Sequence, residues 1–278
     1  MVKIIADTST MFSPKEGEAL GIDIIPLSVS INHESYAELV EMDSAAFLQK
    51  IKDGGVPSSS QPPIGKLVEA FEKYPDDEIL GIFMCDGLSG TYQSAVSASQ
   101  MVPNQANITV VDSKTLCGPH RYLVLKAKRL ADEGKNKAEI LEALQSSLEE
   151  NRSFLLPQDF DFLKRGGRLT PIAATLGGLL KIVPIMTQTE DRKRLEKHGI
   201  GRTFTSAVSK LFSEMENDHV DENTYITISH GGVLKQAEAA EKKIKEKFPT
   251  AEVEIFELTP AFITQGGPEC VAVQWIKK

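Results

Sequence analysis

The sequence predicts an α/β protein of two domains, with a mostly parallel, doubly wound sheet first and a second α/β domain after it. Three observations carry this. Short apolar runs alternate with amphipathic stretches through the first half, the pattern of strand–helix–strand crossovers. The run Glu78–Cys85 is almost unbroken in apolar residues, which suits a strand covered on both faces. Beyond Asn151-Arg152, where a charged helix ends, a strand leads into a cationic glycine segment and then an Ala/Gly-rich apolar stretch, unlike anything before it. The expected domains are therefore 1–151 and 152–278.

The elements follow in order. Lys3–Ala6 is an apolar strand ending at Asp7. Ser13-Pro14-Lys15-Glu16 is a capping box with proline at the first helical position, and Gly21 closes that helix. Ile22–Ile31 reads as one strand. Ala45–Lys52 is helical and stopped by Gly54-Gly55. Pro62-Pro63 opens a helix to Tyr74. After the strand at Glu78–Cys85 come a helix at Thr91–Met101 and a strand at Ile108–Val111. Helices at Arg121–Glu133 and from Asn136 to Glu150 complete the first half, the second capped by Asn136 and Glu139. In the second half, strands are expected at Ser153–Leu156, Ile182–Gln188, Tyr225–Ser229, Glu252–Leu258 and Val271–Ile276. Helices are expected at Pro171–Leu180, Phe204–Met215 and Val233–Phe248.

Composition excludes several classes of function. The chain has 278 residues and a net charge of −8, against an electrostatic nucleic-acid binder. No apolar run reaches the length of a bilayer span. The start reads as a strand and not as a leader, so a cytoplasmic location is expected. Cys85, Cys117 and Cys270 are odd in number and widely spaced, and none of the five histidines has metal-ligand spacing. Neither a disulfide framework nor a metal site is expected. No phosphate-cradling nucleotide motif occurs, so no cofactor is expected.

Three segments carry chemistry. Ser58-Ser59-Ser60-Gln61-Pro62 and Leu88-Ser89-Gly90-Thr91-Tyr92 each precede a helix and offer hydroxyls and backbone N–H groups, an anion site without a cation. The plain reading of the first is a turn and cap; the second has glycine where a ligand can approach the backbone. Leu163-Lys164-Arg165-Gly166-Gly167-Arg168-Leu169-Thr170 places three cations around two glycines beside an apolar stretch. Together they point to a ligand with an anionic head and an apolar body. Asp7, Cys85-Asp86-Gly87 and Asp112-Ser113 all follow strands, where parallel sheets gather their ligands. Arg192, Lys193, Arg194, Lys197 and Arg202 form a second basic cluster, either a solvated hairpin or a docking surface for acidic groups. A hydrolytic triad of Ser89, Asp112 and His230 can be drawn, as one can in most chains of this size.

Taken in order, these segments resemble the DegV family of bacterial fatty-acid-binding proteins. The resemblance spans the chain and rests on Ala6-Asp7-Thr8-Ser9, Ser59-Ser60-Gln61-Pro62, Leu88–Ala95, Val111-Asp112-Ser113 and Leu163–Thr170, with Ser229-His230-Gly231 and Gly266-Gly267-Pro268 in support. It implies a long-chain fatty acid held between the two domains, with no catalysis by the carrier itself, and in some members presentation of the carboxylate to a separate fatty acid kinase. The carboxylate contacts it implies fall on Ser59 or Ser60 and on Ser89, Gly90 and Thr91, with Gln265 standing where the family often has histidine. Gln265 donates a hydrogen bond but carries no charge. Asp86 and Glu269 also depart from the family pattern, and each must turn away from a carboxylate. Ala173, Leu176, Leu180 and Ile185 are candidate tunnel residues, and Arg165, Arg168 and Arg202 candidate docking residues. A monomer is expected. The alternatives are a serine hydrolase acting on acyl esters through Ser89, and a small-anion-binding protein.

Overall fold

The computed structural model describes residues 1–175 and 182–278. Its elements are β1 (Val2–Asp7), α1 (Pro14–Leu20), β2 (Ile22–Ile25), β3 (Ser28–Ile31), β4 (Glu34–Ala37), α2 (Ser44–Lys52), β5 (Ser58–Ser60), α3 (Ile64–Glu72), β6 (Glu78–Phe83), α4 (Thr91–Ser99), β7 (Ile108–Asp112), α5 (Cys117–Asp132) and α6 (Lys137–Glu149). There follow β8 (Asn151–Leu156), α7 (Phe160–Gly166), α8 (Pro171–Ala174), β9 (Val183–Gln188), β10 (Leu195–Gly201), α9 (Phe204–Lys210), α10 (Phe212–Asn217), β11 (Thr224–His230), α11 (Leu234–Lys247), β12 (Glu252–Glu257), α12 (Pro260–Gly266) and β13 (Val271–Lys277).

Strands β2-β1-β6-β7 form a parallel sheet. Ile4, Ala6, Leu80 and Ile82 pack on α5 and α6, while Ile5, Ile79 and Phe83 pack on α3 and α4. Both faces are therefore covered, and an unbroken apolar run in β6 is the result. The second half forms one sheet in the order β10-β9-β8-β13-β11-β12, antiparallel except for the β11–β12 pair. One face packs on α9, α10 and α11 through Phe154, Ile185, Ile228 and Val273. The other face meets α5. Leu123 and Val124 of α5 pack with Ile4 and Leu80 on one side and with Tyr225 and Ile276 on the other, so a single helix is the seam between the sheets.

A third sheet, β4-β3-β5, is small and antiparallel. Its Val29 and Ile31 share a core with Phe47 of α2 and with Phe262 and Ile263 of α12. This sheet corrects the expectation of one strand at Ile22–Ile31. Pro26 stands at the break and brings no ladder donor, so β2 joins the parallel sheet and β3 leaves it. The expected helix at Phe204–Met215 is two helices, α9 and α10. Of the expected helix at Pro171–Leu180, α8 is described; Leu176 and Leu180 lie outside the described residues. Helices α7 and α12 were not expected. Among the described residues no helix is long and apolar enough to cross a membrane.

Glu38 ties the small sheet to both ends of the chain. It is fully buried. Its Oε1 accepts from the Thr8 hydroxyl, and its Oε2 accepts from the Ala261 backbone N–H of α12 at 2.8 Å. The Thr8 hydroxyl in turn accepts from the Leu27 N–H at 2.9 Å. Burial is the main cause that raises the Glu38 carboxyl to about 7, with the Asp7 charge adding to it and the hydrogen bonds from Thr8 and Ala261 opposing it. The folded chain thus keeps a proton that the unfolded chain releases near 4.5. Stability from this group is complete below about pH 4.5 and falls as pH rises to about 7, by ~3 kcal/mol. Glu38→Gln carries no such titration. The expected result of urea unfolding across pH 4.5 to 8 is a wild-type stability that declines relative to E38Q up to about pH 7 and then runs level with it; profiles parallel throughout contradict this account.

Candidate functional site

The hydroxyl segments meet at one place. Ser59 lies on β5 opposite Val29, and its hydroxyl accepts from Gln265 Nε2 of α12 at 3.1 Å. Ser60, the next residue, is exposed, since consecutive strand residues face opposite ways. Two residues after Ser59, Gln61 donates to the Ser94 hydroxyl of α4. Its Oε1 occupies the space that a Cβ on Gly90 would fill. Gly90 begins α4 with no side chain capping it. Ser89 accepts from the Thr91 N–H at 3.3 Å and shares a hydrogen bond with the Thr91 hydroxyl at 2.8 Å, Thr91 being fully buried. Ser59, Ser89, Gly90, Thr91 and Gln265 therefore belong to one neighbourhood, joined through Gln61.

The cationic glycine segment is α7 and its cap. Gly167 has φ +71°, the left-handed conformation that ends a helix. A Cβ on Gly166 would overlap Gln265 Oε1, so this glycine lets α12 bring Gln265 close. Arg165 is exposed and lies over the Phe162 ring, 4.4 Å from its centroid. Arg168, expected on a docking surface, turns inward. Its guanidinium donates to the Leu88 carbonyl at 3.0 Å and the Gly166 carbonyl at 2.5 Å. The hairpin between β9 and β10 packs against the same loop, because Lys193 touches Gly87, whose φ is +89°. Thus the cations of the second half hold the Gly87-Leu88-Ser89 loop of the first. Arg202 is exposed at the junction of β10 and α9, with no contact to this neighbourhood. Glu269 is exposed.

An apolar slot runs inward from Arg168, Leu88 and Gln265. Leu155, Met186, Ala272, Met84, Leu116 and Phe262 form much of its wall, and its free volume is about 100 Å³. Met186 replaces Ile185 as the slot residue of β9. Ile185 faces the opposite side and packs with Ala207 and Val208. Ala173 packs behind the slot with Leu163, Leu169 and Met186. A larger cleft of about 720 Å³ opens beyond Ser153, Phe154 and Gln188, but Glu149, Arg152, Glu190 and Asp218 line it, which suits no apolar chain. Sequence reasoning missed Gln61 as a site residue although it lies in a quoted motif, and missed Met186 because alternation alone does not say which face is which.

The drawn triad is not assembled. Ser89 pairs with Thr91, Asp112 accepts from the Asp86 and Lys114 backbone N–H groups, and His230 Nδ1 has no partner. A serine–histidine pair does occur at Ser9 and His120, 2.7 Å apart and fully buried. His120 Nε2 lies 2.9 Å from the Ile82 carbonyl and must donate to it, so Nδ1 accepts from Ser9. Burial holds this imidazole below its ordinary range. Burial also pushes the cysteine thiols up, Cys270 to about 12, so they pack as apolar groups.

Comparison with known proteins places the chain as a whole among its relatives. A DegV domain-containing protein of Halalkalibacterium halodurans is 31% identical over 280 residues, covering 99% of this chain and 98% of that protein. The Bacillus subtilis fatty acid binding protein DegV superposes with a TM-score of 0.87 at 27% identity, over 100% of this chain and 99% of that one. A Eubacterium eligens DegV family protein loaded with heptadecanoic acid gives a TM-score of 0.86 at 23% identity, over 100% of both chains. The model of the DegV family, described as uncharacterised proteins, matches residues 1–278, and the chain belongs to that family.

Proposed function

We propose that this protein holds one long-chain fatty acid whose chain enters by the slot, with the carboxylate at the cluster of Ser59, Ser89, Gly90, Thr91 and Gln265. The observation that carries the reading is an apolar slot lined by Gln265, whose amide donates to the Ser59 hydroxyl, and by Leu88, which precedes Ser89 at the start of α4. The fatty acids bound by the solved relatives support it. The energetics fit. About 15 methylenes at ~0.8 kcal/mol each supply ~12 kcal/mol, from which the lost freedom of the ligand subtracts a large share. The remainder corresponds to micromolar to nanomolar binding. The carboxylate needs donors, since an unpaired one in the interior costs several kcal/mol. Hydroxyls and helix N–H groups offset that cost.

In this reading the protein is a cytoplasmic, monomeric carrier, divided near residue 151, and performs no chemistry of its own. It presents the carboxylate to a separate fatty acid kinase as the substrate-binding subunit. Arg202 and Arg165 are exposed and belong to the docking surface, while Arg168 serves the loop that carries Ser89.

Two measurements test this. Native mass spectrometry of protein produced in bacteria is expected to show a bound mass of a long-chain fatty acid; protein that neither carries nor takes up such an acid sinks the proposal. Ser89→Ala and Ser59→Ala are each expected to weaken binding by about 1–3 kcal/mol, with Ser60→Ala unchanged. For the partner surface, Arg202→Ala is expected to keep fatty-acid affinity and to slow acyl-phosphate formation by a cognate kinase several-fold, the gap narrowing as salt is raised. Equal loss in both assays assigns Arg202 to the fold instead.

A further inference from the structure

The slot is not apolar throughout. Across the central strands of the second sheet, the residues facing α5 fall into rows. Met186, Leu155 and Ala272 are cross-strand neighbours and form an apolar row. The next row on the same face is polar: Gln274 lies opposite Ser153 on one side and Thr227 on the other, and Gln188 stands two residues beyond Met186 on β9. Gln188, Ser153 and Gln274 all line the slot. A polar row inside an apolar slot is costly unless its groups find partners.

Two of those groups lack a partner among the described residues. Gln274 is 1% exposed. Its Nε2 donates to the Leu116 carbonyl at 3.1 Å and to the Ser153 hydroxyl at 2.8 Å, which commits both amide hydrogens. Its Oε1 is buried and accepts from nothing. The amide cannot be reversed to relieve this, because the Leu116 carbonyl needs the donor. Thr227 Oγ1, next in the row, is likewise buried without a partner. Gln188 Nε2 has only the Cys85 sulfur at 3.6 Å, a weak acceptor. An unanswered buried acceptor at Gln274 thus shares a row with underused donors at Gln188 and Ser153, three residues that line the slot.

We infer that this row recognises a hydroxyl group on the acyl chain, so that the preferred ligand is a long-chain fatty acid hydroxylated away from its carboxyl end. The inference rests on the fatty-acid reading above and adds the substrate class. A hydroxyl donates to Gln274 Oε1 while accepting from Gln188 or Ser153. A keto oxygen has no hydrogen for Gln274, and a saturated chain leaves the whole row unanswered. Sites built to bond a hydroxyl discriminate against the analogue that lacks it, because their buried groups are then left unpaired.

The test is competition for the lipid-free protein between stearic acid and hydroxystearic acids bearing the hydroxyl mid-chain or at the chain end, read by native mass spectrometry. One hydroxylated acid is expected to be preferred over stearic acid by about three- to tenfold, the worth of one net hydrogen bond. Gln274→Met keeps the side chain's length and removes its acceptor together with its donors, so it is expected to lose the preference. Ser153→Ala is expected to reduce the preference without abolishing stearic acid binding. Wild type that binds stearic acid with no preference, or a preference that survives in Q274M, overturns this inference and leaves the fatty-acid reading standing. Failure to bind any of the acids overturns both.

Discussion

A carboxylate removed from water must be answered by donors, and Glu38 draws its donors from opposite ends of the chain. Thr8 follows the first strand, and Ala261 opens the last helix. Because the carboxyl is fully buried, neither donor is replaceable by solvent. The start of α12 is therefore held against the small sheet, and one turn further α12 carries Gln265 to Ser59. Phe262 and Ile263 on the same helix fill the core that the small sheet shares with α2. The place of the hydroxyl cluster beside the slot thus depends on one buried acid.

A second constraint operates from the other side of the slot. The loop carrying Ser89 has backbone groups that no regular ladder serves, and the second half supplies what is missing. Arg168 donates to the Leu88 carbonyl, and Lys193 packs on Gly87. Arg192 of the same hairpin reaches the Asn151 amide oxygen at 2.8 Å and the Glu149 carbonyl at 2.9 Å, linking α6 to β8. Arg168 and Arg192 thus spend their donors largely on main-chain carbonyls at the seam. Such contacts fix geometry, and they hold Arg168 at the slot it lines with Leu88 and Gln265.

Much of this was legible in the residues. The parallel sheet, its helices and both capping boxes follow from periodicity and cap chemistry, because those signals lie within a few residues of one another. The unbroken run in β6 announced two covered faces. What failed did so for nonlocal reasons. Pro26 divides two strands whose apolar character is continuous, and nothing local says that they enter different sheets. Helix α12 begins at Thr259-Pro260 and runs seven residues, too short for periodicity to declare it.

Local signals thus determined most of the element types of this chain and the family it belongs to, since each depends on residues near in sequence. Tertiary structure alone decided which serine of the triplet faces Gln265, that Met186 and not Ile185 lines the slot, and that Arg168 points inward. Each of these is a choice of face, and a face is defined only by what packs against it. The unpartnered oxygen of Gln274 belongs to the same class: a glutamine on a strand is unremarkable in sequence, and only the close cover of Leu116 and Ser153 uses up its hydrogens and leaves its acceptor bare.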